Sequence, residues 1–157
     1  MKIKTKLCLS ILIIAALLIP TSMAYATSPQ SASHFRLQAN AGWVDSGVDV
    51  EANQQLTITA YGRAITAPIN VYDSSTVSGP EGQINICPNY EGAPSCAMEN
   101  APYGALVGKI GVDGDPFYIG SYLIFTPTET GDLYLAVNDL LPYYADNYGN
   151  YTIFFKK

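Results

Sequence analysis

The 157-residue chain predicts an all-β fold, an antiparallel β-sandwich of jelly-roll type. Three observations carry this expectation. Short alternating or β-branched runs recur along the chain, Gly, Pro, Asn or Asp bounds them, and beyond residue 26 no stretch combines a 3.6-residue period with a cap and a run of good helix formers. Several short strands separated by such turns indicate a sandwich closed on itself rather than a layered α/β fold.

The first 26 residues stand outside that pattern. Lys2, Lys4 and Lys6 precede an apolar run over 7–20 and the triplet Ala24-Tyr25-Ala26, the composition of a secretory signal with a peptidase site after Ala26. The run is short for a membrane span, which needs about 20 residues; an uncleaved anchor is the competing reading. Cys8 lies inside the apolar run and is not followed by a mature domain, which argues against a lipid anchor. Cleavage leaves residues 27–157, 131 residues, the size of one domain. Export places the protein in a periplasmic or extracellular compartment.

Five basic residues then face thirteen acidic ones, a formal charge of −8. Phosphate-rich partners would be repelled, which argues against nucleic acid and anionic membrane and leaves cations and neutral sugars.

Strands are expected at 35–37, at 43–50 with broken alternation, and at 55–61, where QLTITAY alternates cleanly before Gly62. Further strands are expected at 105–110, 118–125, 132–137 and 151–155. The span 64–104 is too long to be an idle connection, and is expected to cover one end of the sandwich, where binding loops sit. Within it lie Cys87 and Cys96. An exported chain with two cysteines in a Pro/Gly-rich stretch favours a disulfide, worth roughly 2–3 kcal/mol for a loop of this size; a thiol metal site would need more Cys or His ligands than the region holds.

No catalytic constellation emerges. His34 is the only histidine and sits in the first strand or the arm before it, so neither a Ser/His/Asp triad nor a His-ligated zinc is supported. Paired carboxylates for glycoside hydrolysis are a matter of spatial approach, and nothing in the sequence points to them. Asp113-Gly114-Asp115 lacks the remaining oxygens of a calcium-binding EF-hand loop and reads as a tight turn. Asn150-Tyr151-Thr152 fits the N-glycosylation pattern, but Tyr151 opens an apolar strand and the style of the chain is bacterial. Twelve tyrosines accompany one tryptophan; those in expected loops, Tyr90, Tyr103, Tyr143, Tyr144 and Tyr148, suit sugar rings as well as they suit rim packing.

The segment 133–155, LYLAVNDLLPYYADNYGNYTIFF, has two alternating runs around a loop with Asn138, Asp139, Asp146 and Asn147. Two readings stay open on spacing alone. One is a polar hairpin loop built from ordinary turn residues; the other is a set of hard oxygen ligands of the kind Ca²⁺ collects six to eight of.

The order WVDSGVDV, LTITAYG, GPEG, APYGALVGKIG and LYLAVND…DNYGNYTI resembles the bacterial galactophilic lectins, the PA-IL-like (LecA-type) calcium-dependent galactose-binding family. The likeness runs from about Gln38 to Phe155. Its most specific pieces are Gly104-Ala105-Leu106-Val107 with Lys109-Ile110-Gly111, and Asn138-Asp139 with Asp146-Asn147 and Gly149. The resemblance implies a sandwich of the jelly-roll, galactose-binding-domain-like type with one Ca²⁺ bridging protein and sugar. Carried over by position, the metal ligands are Asp139, Asp146 and Asn147 through side chains and Tyr143 and Thr66 through backbone carbonyls. Asp146 stands where the family has Asn, which keeps an oxygen ligand, adds a negative charge and removes a donor. Asp139, Leu140 and Asp146 would line the sugar site. The family's sugar-contacting His and Gln follow the Gly-Pro-x-Gly turn, but here that region is QINICPNYEGAPSCAMEN, longer and without His. Counting from Gly82 brings Ile86 and Asn89 nearby, with Asn89 or Tyr90 as the secondary contact.

Two functions follow. The first is a secreted, non-enzymatic carbohydrate-binding protein that needs Ca²⁺ and takes a galactose-type glycan, with assembly into oligomers implied by the family. The alternative is a structural or protein-interaction sandwich that keeps the fold, with Ca²⁺ as a staple, and has lost sugar binding.

Overall fold

Alternation along the strands builds two antiparallel sheets packed face to face in the computed structural model, which describes residues 33–66, 76–87 and 95–157. The signal-peptide reading of residues 1–26 lies outside the described residues. One sheet runs β1 (Ser33–Gln38), β9 (Tyr148–Lys156), β3 (Leu56–Ile65) and β4 (Val77–Ser78), with β7 (Tyr122–Phe125) also paired to β3. The other runs β2 (Val44–Val50), β8 (Gly131–Val137), β5 (Leu106–Ile110) and β6 (Phe117–Tyr118). Leu37, Leu56, Ile58, Tyr151, Ile153 and Phe155 point inward from the first sheet, and Val50, Leu106, Leu133, Leu135 and Val137 from the second. Each large side chain taken fully out of water contributes about 1.5–3 kcal/mol.

Three sequence expectations change in the structure. Residues 118–125 form no single strand: β6 pairs with β5 in one sheet and β7 with β3 in the other, and the chain crosses between them at Gly120, whose φ is +70°. Gly62 does not end β3, which continues to Ile65. A Cβ at Gly62 would meet the Asn150 carbonyl oxygen at 2.3 Å, so glycine is what lets β9 lie close alongside. The 133–155 segment, for which a polar hairpin loop is one of the two readings left open by sequence, joins two sheets instead, because β8 pairs with β2 and β5 whereas β9 pairs with β1 and β3. Its connection contains a 3₁₀ helix, Leu141–Asp146, with proline at its start; a single short 3₁₀ element leaves no 3.6-residue period to read.

Within 64–104 the described residues hold the end of β3, the short strand β4, the bridge Ile86↔Pro102 and the Cys96 side of the bridge Cys96↔Leu140. Cys87 and Cys96 form the expected disulfide, Cα–Cα 6.4 Å. A second cluster, Ala97, Ala105, Val107, Ala136 and Tyr144, packs on the outer side of the β5–β8 pair with Trp43 and Met98 against it. Among the described residues no helix is long and apolar enough to cross a membrane.

Tyr151 ties this end of the sandwich together. Its hydroxyl is 2.6 Å from the Gly104 carbonyl oxygen and 2.8 Å from that of Gly79, so one phenolic proton serves two loops. Burial holds the phenol pKa well above its usual value, against a lowering hydrogen bond from Ser78, so it stays a donor. Gly104, with φ +75°, leaves no room for a Cβ, which would lie 2.0 Å from Ser78 Oγ. The Gly79 carbonyl also accepts from the Gly82 N–H at 2.9 Å, so Tyr151→Phe is expected to leave the Gly104 carbonyl without this donor and to cost about 1–3 kcal/mol, measured as a shift in the urea midpoint at unchanged slope.

Candidate functional site

The ten residues between β8 and β9 cross from one sheet to the other at one end of the sandwich, and the buried polar side chains among them, Asn138, Asp139, Tyr144 and Asn147, make distinct contacts. Asn138 is fully buried. Its Oδ1 accepts from the Met98 backbone N–H (2.8 Å) and its Nδ2 donates to the carbonyls of Ala101 and Pro102, both at 3.1 Å. Counted in the sequence among the oxygen cluster, Asn138 is instead a clamp on the 98–102 loop, with both ends of its amide used. Tyr144 sinks its ring into the second apolar cluster and donates to the Val137 carbonyl at 2.7 Å. Strand-like pairing of Cys96 with Leu140 closes the other side: Ala97 N–H donates to the Asp139 carbonyl (3.0 Å) and Leu141 N–H to that of Ser95 (2.9 Å). The disulfide therefore anchors the strip that holds the crossing segment.

These clamps leave Asp139 and Asn147 buried, at 4% and 2% exposure. Asn147 Nδ2 donates to the Ala39 carbonyl at 3.3 Å, which fixes the amide and turns its Oδ1 the other way. That oxygen is buried with no hydrogen-bond partner. Asp139 Oδ1 accepts from the Leu140 N–H at 2.8 Å. Burial nonetheless raises the Asp139 pKa; Leu140 and the neighbouring Asn147 side chain lower it, and the charge of Asp146 raises it.

A cleft of about 540 Å³ opens beside Asp139, lined by Asp139, Leu140, Tyr143, Asp146, Thr66, Gln83, Asn85 and Tyr103. Five of the residues proposed from sequence thus share one opening, Asn147 is buried beside Asp139, and Asn89 and Tyr90 lie outside the described residues. Thr66 follows directly on β3, whose Ile65 pairs with Tyr148, so the β3–β9 register brings it beside the crossing segment. Gln83 holds it there: Nε2 donates to Thr66 Oγ1 (2.7 Å) and to the Thr76 carbonyl (3.0 Å).

Gln83 and Asn85 were missed in the sequence, and Tyr103 was singled out there only as one of the loop tyrosines that suit a sugar ring. Gly82, at φ +85°, turns the chain so that 83–87 ladders against 101–103, with Gln83 N–H to the Tyr103 carbonyl (2.7 Å), Tyr103 N–H to Asn85 (3.0 Å) and Cys87 N–H to Ala101 (2.9 Å). The two-residue strand period then sets Gln83 and Asn85 on the cleft and leaves Ile84 and Ile86 exposed. The QINI alternation after GPEG is the signal that could have found them; Ile86, offered by counting, is 51% exposed and absent from the cleft lining.

Asp139, Asp146 and Asn147 fit a hard cation on the chemistry of these donors. A desolvated carboxylate, a second carboxylate near it and a buried amide oxygen lacking a donor are all groups that a bound cation would satisfy.

The fold has a counterpart among solved structures. The chain is similar to the EclA N-terminal domain, described as a PllA-like lectin, with a TM-score of 0.58 and 21% identity over 78% of this chain and 93% of that one. At that identity the likeness establishes the shared β-sandwich. No family model and no curated protein sequence matches the chain.

Because the Asp139 pKa is raised, the folded state holds that proton more tightly than the unfolded chain. Without metal, the associated stability is complete below the ordinary carboxyl value of about 4 and is lost as pH rises through the raised one. In EDTA at pH 7, Asp139→Asn is expected to melt above the wild type, with the two converging in acid; a wild type that stays the more stable at pH 7 would contradict this.

Proposed function

We propose that the protein is an exported, calcium-dependent lectin of the PA-IL-like type, with no catalytic role. The observation that carries the reading is a buried carboxylate, Asp139, lining a ligand-sized cleft, with the side chain of Asn147 against it and the Oδ1 of that amide buried without a partner. Asp139, Asp146 and Asn147 would hold Ca²⁺ through side chains, and Tyr143 and Thr66 through their carbonyls. When bound, the ion supplies a positive centre to which neighbouring sugar hydroxyls are attracted. The lectin character of a protein sharing the fold supports this reading.

The chain's own groups then set what the cleft accepts. Asp146 is an acceptor only, so it selects hydroxyls that donate. Opposite it, Gln83 and Asn85 offer both donor and acceptor atoms, and Tyr103 and Tyr143 provide ring faces for the C–H side of a sugar. Galactose-type glycans are the first candidates. This wall carries no histidine, so its hydrogen bonds are not switched by protonation near neutral pH.

A second reading rests on that altered wall: a sandwich in which Ca²⁺ only staples the crossing segment. Calorimetric titration separates the two. The wild type is expected to bind one Ca²⁺ per chain and then glycan on an array, and at one hundred times the dissociation constant the metal should stabilise the fold by about 2.7 kcal/mol. Asp139→Ala should abolish both responses. Calcium binding without any glycan signal would favour the staple; unchanged calcium affinity in Asp139→Ala would place the metal elsewhere.

A further inference from the structure

The outer face of the β1–β9–β3–β7 sheet lies away from the cleft's residues and has its own chemistry. Strand register orders it in rows: Lys156, Thr57 and Ile124; His34, Phe154, Thr59 and Tyr122; Arg36, Thr152 and Tyr61; Gln38, Asn150 and Arg63. These positions alternate with the buried Leu37, Ile58, Ala60, Tyr151, Ile153 and Phe155, so they point outward. Tyr61 is 58% exposed, Tyr122 59%, Ile124 48% and Phe154 37%. The rings of His34 and Phe154 lie 6.1 Å apart and those of Tyr61 and Phe154 5.8 Å apart at 22°, a continuous aromatic row across three strands.

Among the described residues of these strands, charge is of one sign. Arg36, Arg63 and Lys156 are three of the five Lys and Arg beyond residue 26, and none of the thirteen Asp and Glu falls in β1, β3, β7 or β9. The carboxylates of the strands are on the other sheet, where Asp49 pairs with Asp132 and Asp45 stands nearby. Stacked sheets are about 10 Å apart, and Asp45, Asp49 and Asp132 are exposed, so the cationic and acidic groups face solvent on opposite sides of the sandwich.

We propose that this face is a second, calcium-independent recognition surface for an acidic polysaccharide, a chain of sugar rings bearing carboxylate or sulfate groups. Exposed rings stack on the C–H faces of sugars, Arg36, Arg63 and Lys156 pair with the anions, and Thr57, Thr59, Thr152, Asn150 and Gln38 meet hydroxyls. A broad sheet face fits an extended polymer rather than a single sugar. Alternatives fit less well. A second copy related by a two-fold would set the same cations against each other across the contact. Duplex DNA carries one charge per about 1.7 Å, a density that three cations on a chain of net negative charge do not match.

The test is retention of the purified protein on immobilised polygalacturonate and on dextran sulfate, at low salt with EDTA present, so that failure of the calcium reading leaves it unaffected. Retention on either polymer that falls as salt rises, with little on neutral galactan, is expected, and the polymer preferred identifies the anion. Arg36→Ala/Arg63→Ala and, separately, Tyr61→Ala should each weaken retention about tenfold, with melting temperature and calcium titration unchanged. The proposal is overturned by no retention on either polymer, by equal retention of the variants, or by tighter binding to duplex DNA or phosphatidylserine vesicles than to both polysaccharides. A dimer in sedimentation that Tyr61→Ala dissociates, with no polymer bound, also overturns it.

Discussion

The chain must pass from β8 in one sheet to β9 in the other within ten residues, and the site exists because that crossing is held from every side. Asn138 fastens it to the 98–102 loop, Tyr144 to the outer apolar cluster, the Cys96–Leu140 bridge to the disulfide strip, and Asn147 to Ala39. Loops usually satisfy their backbone at the surface; here Asn138, Asp139, Tyr144 and Asn147 are buried and held internally, and those side chains have little freedom left to relax. Such preorganisation lowers the ordering cost of binding. It also means that groups placed badly for the free protein stay where they are.

Asp139 and Asn147 are those groups. A carboxylate largely removed from water beside another carboxylate, and an amide oxygen with no donor, both oppose folding in the free chain. The apolar core on the other side of Val137 and Tyr151 supplies the stability that tolerates them. One cation would turn both from costs into ligands, which ties metal affinity to fold stability. Charge is separated on a larger scale as well: acidic groups gather on the β2–β8 sheet and in the loops, while the rings and cations of the opposite sheet face away from them.

Much of the fold was legible because period-two alternation is local. QLTITAY, DLYLAV and YTIFF each carry their own inward and outward faces, and β3, β8 and β9 follow them. What stayed hidden depended on partners distant in sequence. Gly62 looks like a terminator until Asn150 is seen against it, and 118–125 looks like one strand until its halves are found on different sheets. The metal candidates were legible through spacing and resemblance, and Asp139, Asp146, Tyr143 and Thr66 do meet at one cleft. Asn138 was not separable from them by residue type, because its amide is spent on contacts about 40 residues away. Gln83 and Asn85 escaped because the wall is made by a ladder between 83–87 and 101–103 across the Cys87–Cys96 loop, where counting from a turn has no meaning.

The central claim is that Asp139 and Asn147 are left incomplete for a cation. A crystal structure grown in saturating Ca²⁺ tests it most directly. The expected result is one ion about 2.3–2.6 Å from oxygens of Asp139, Asp146 and Asn147, with the carbonyls of Tyr143 and Thr66 completing the protein ligands. Asn147 Oδ1 bonded to a protein donor or a water, with no ion on Asp139, would contradict it.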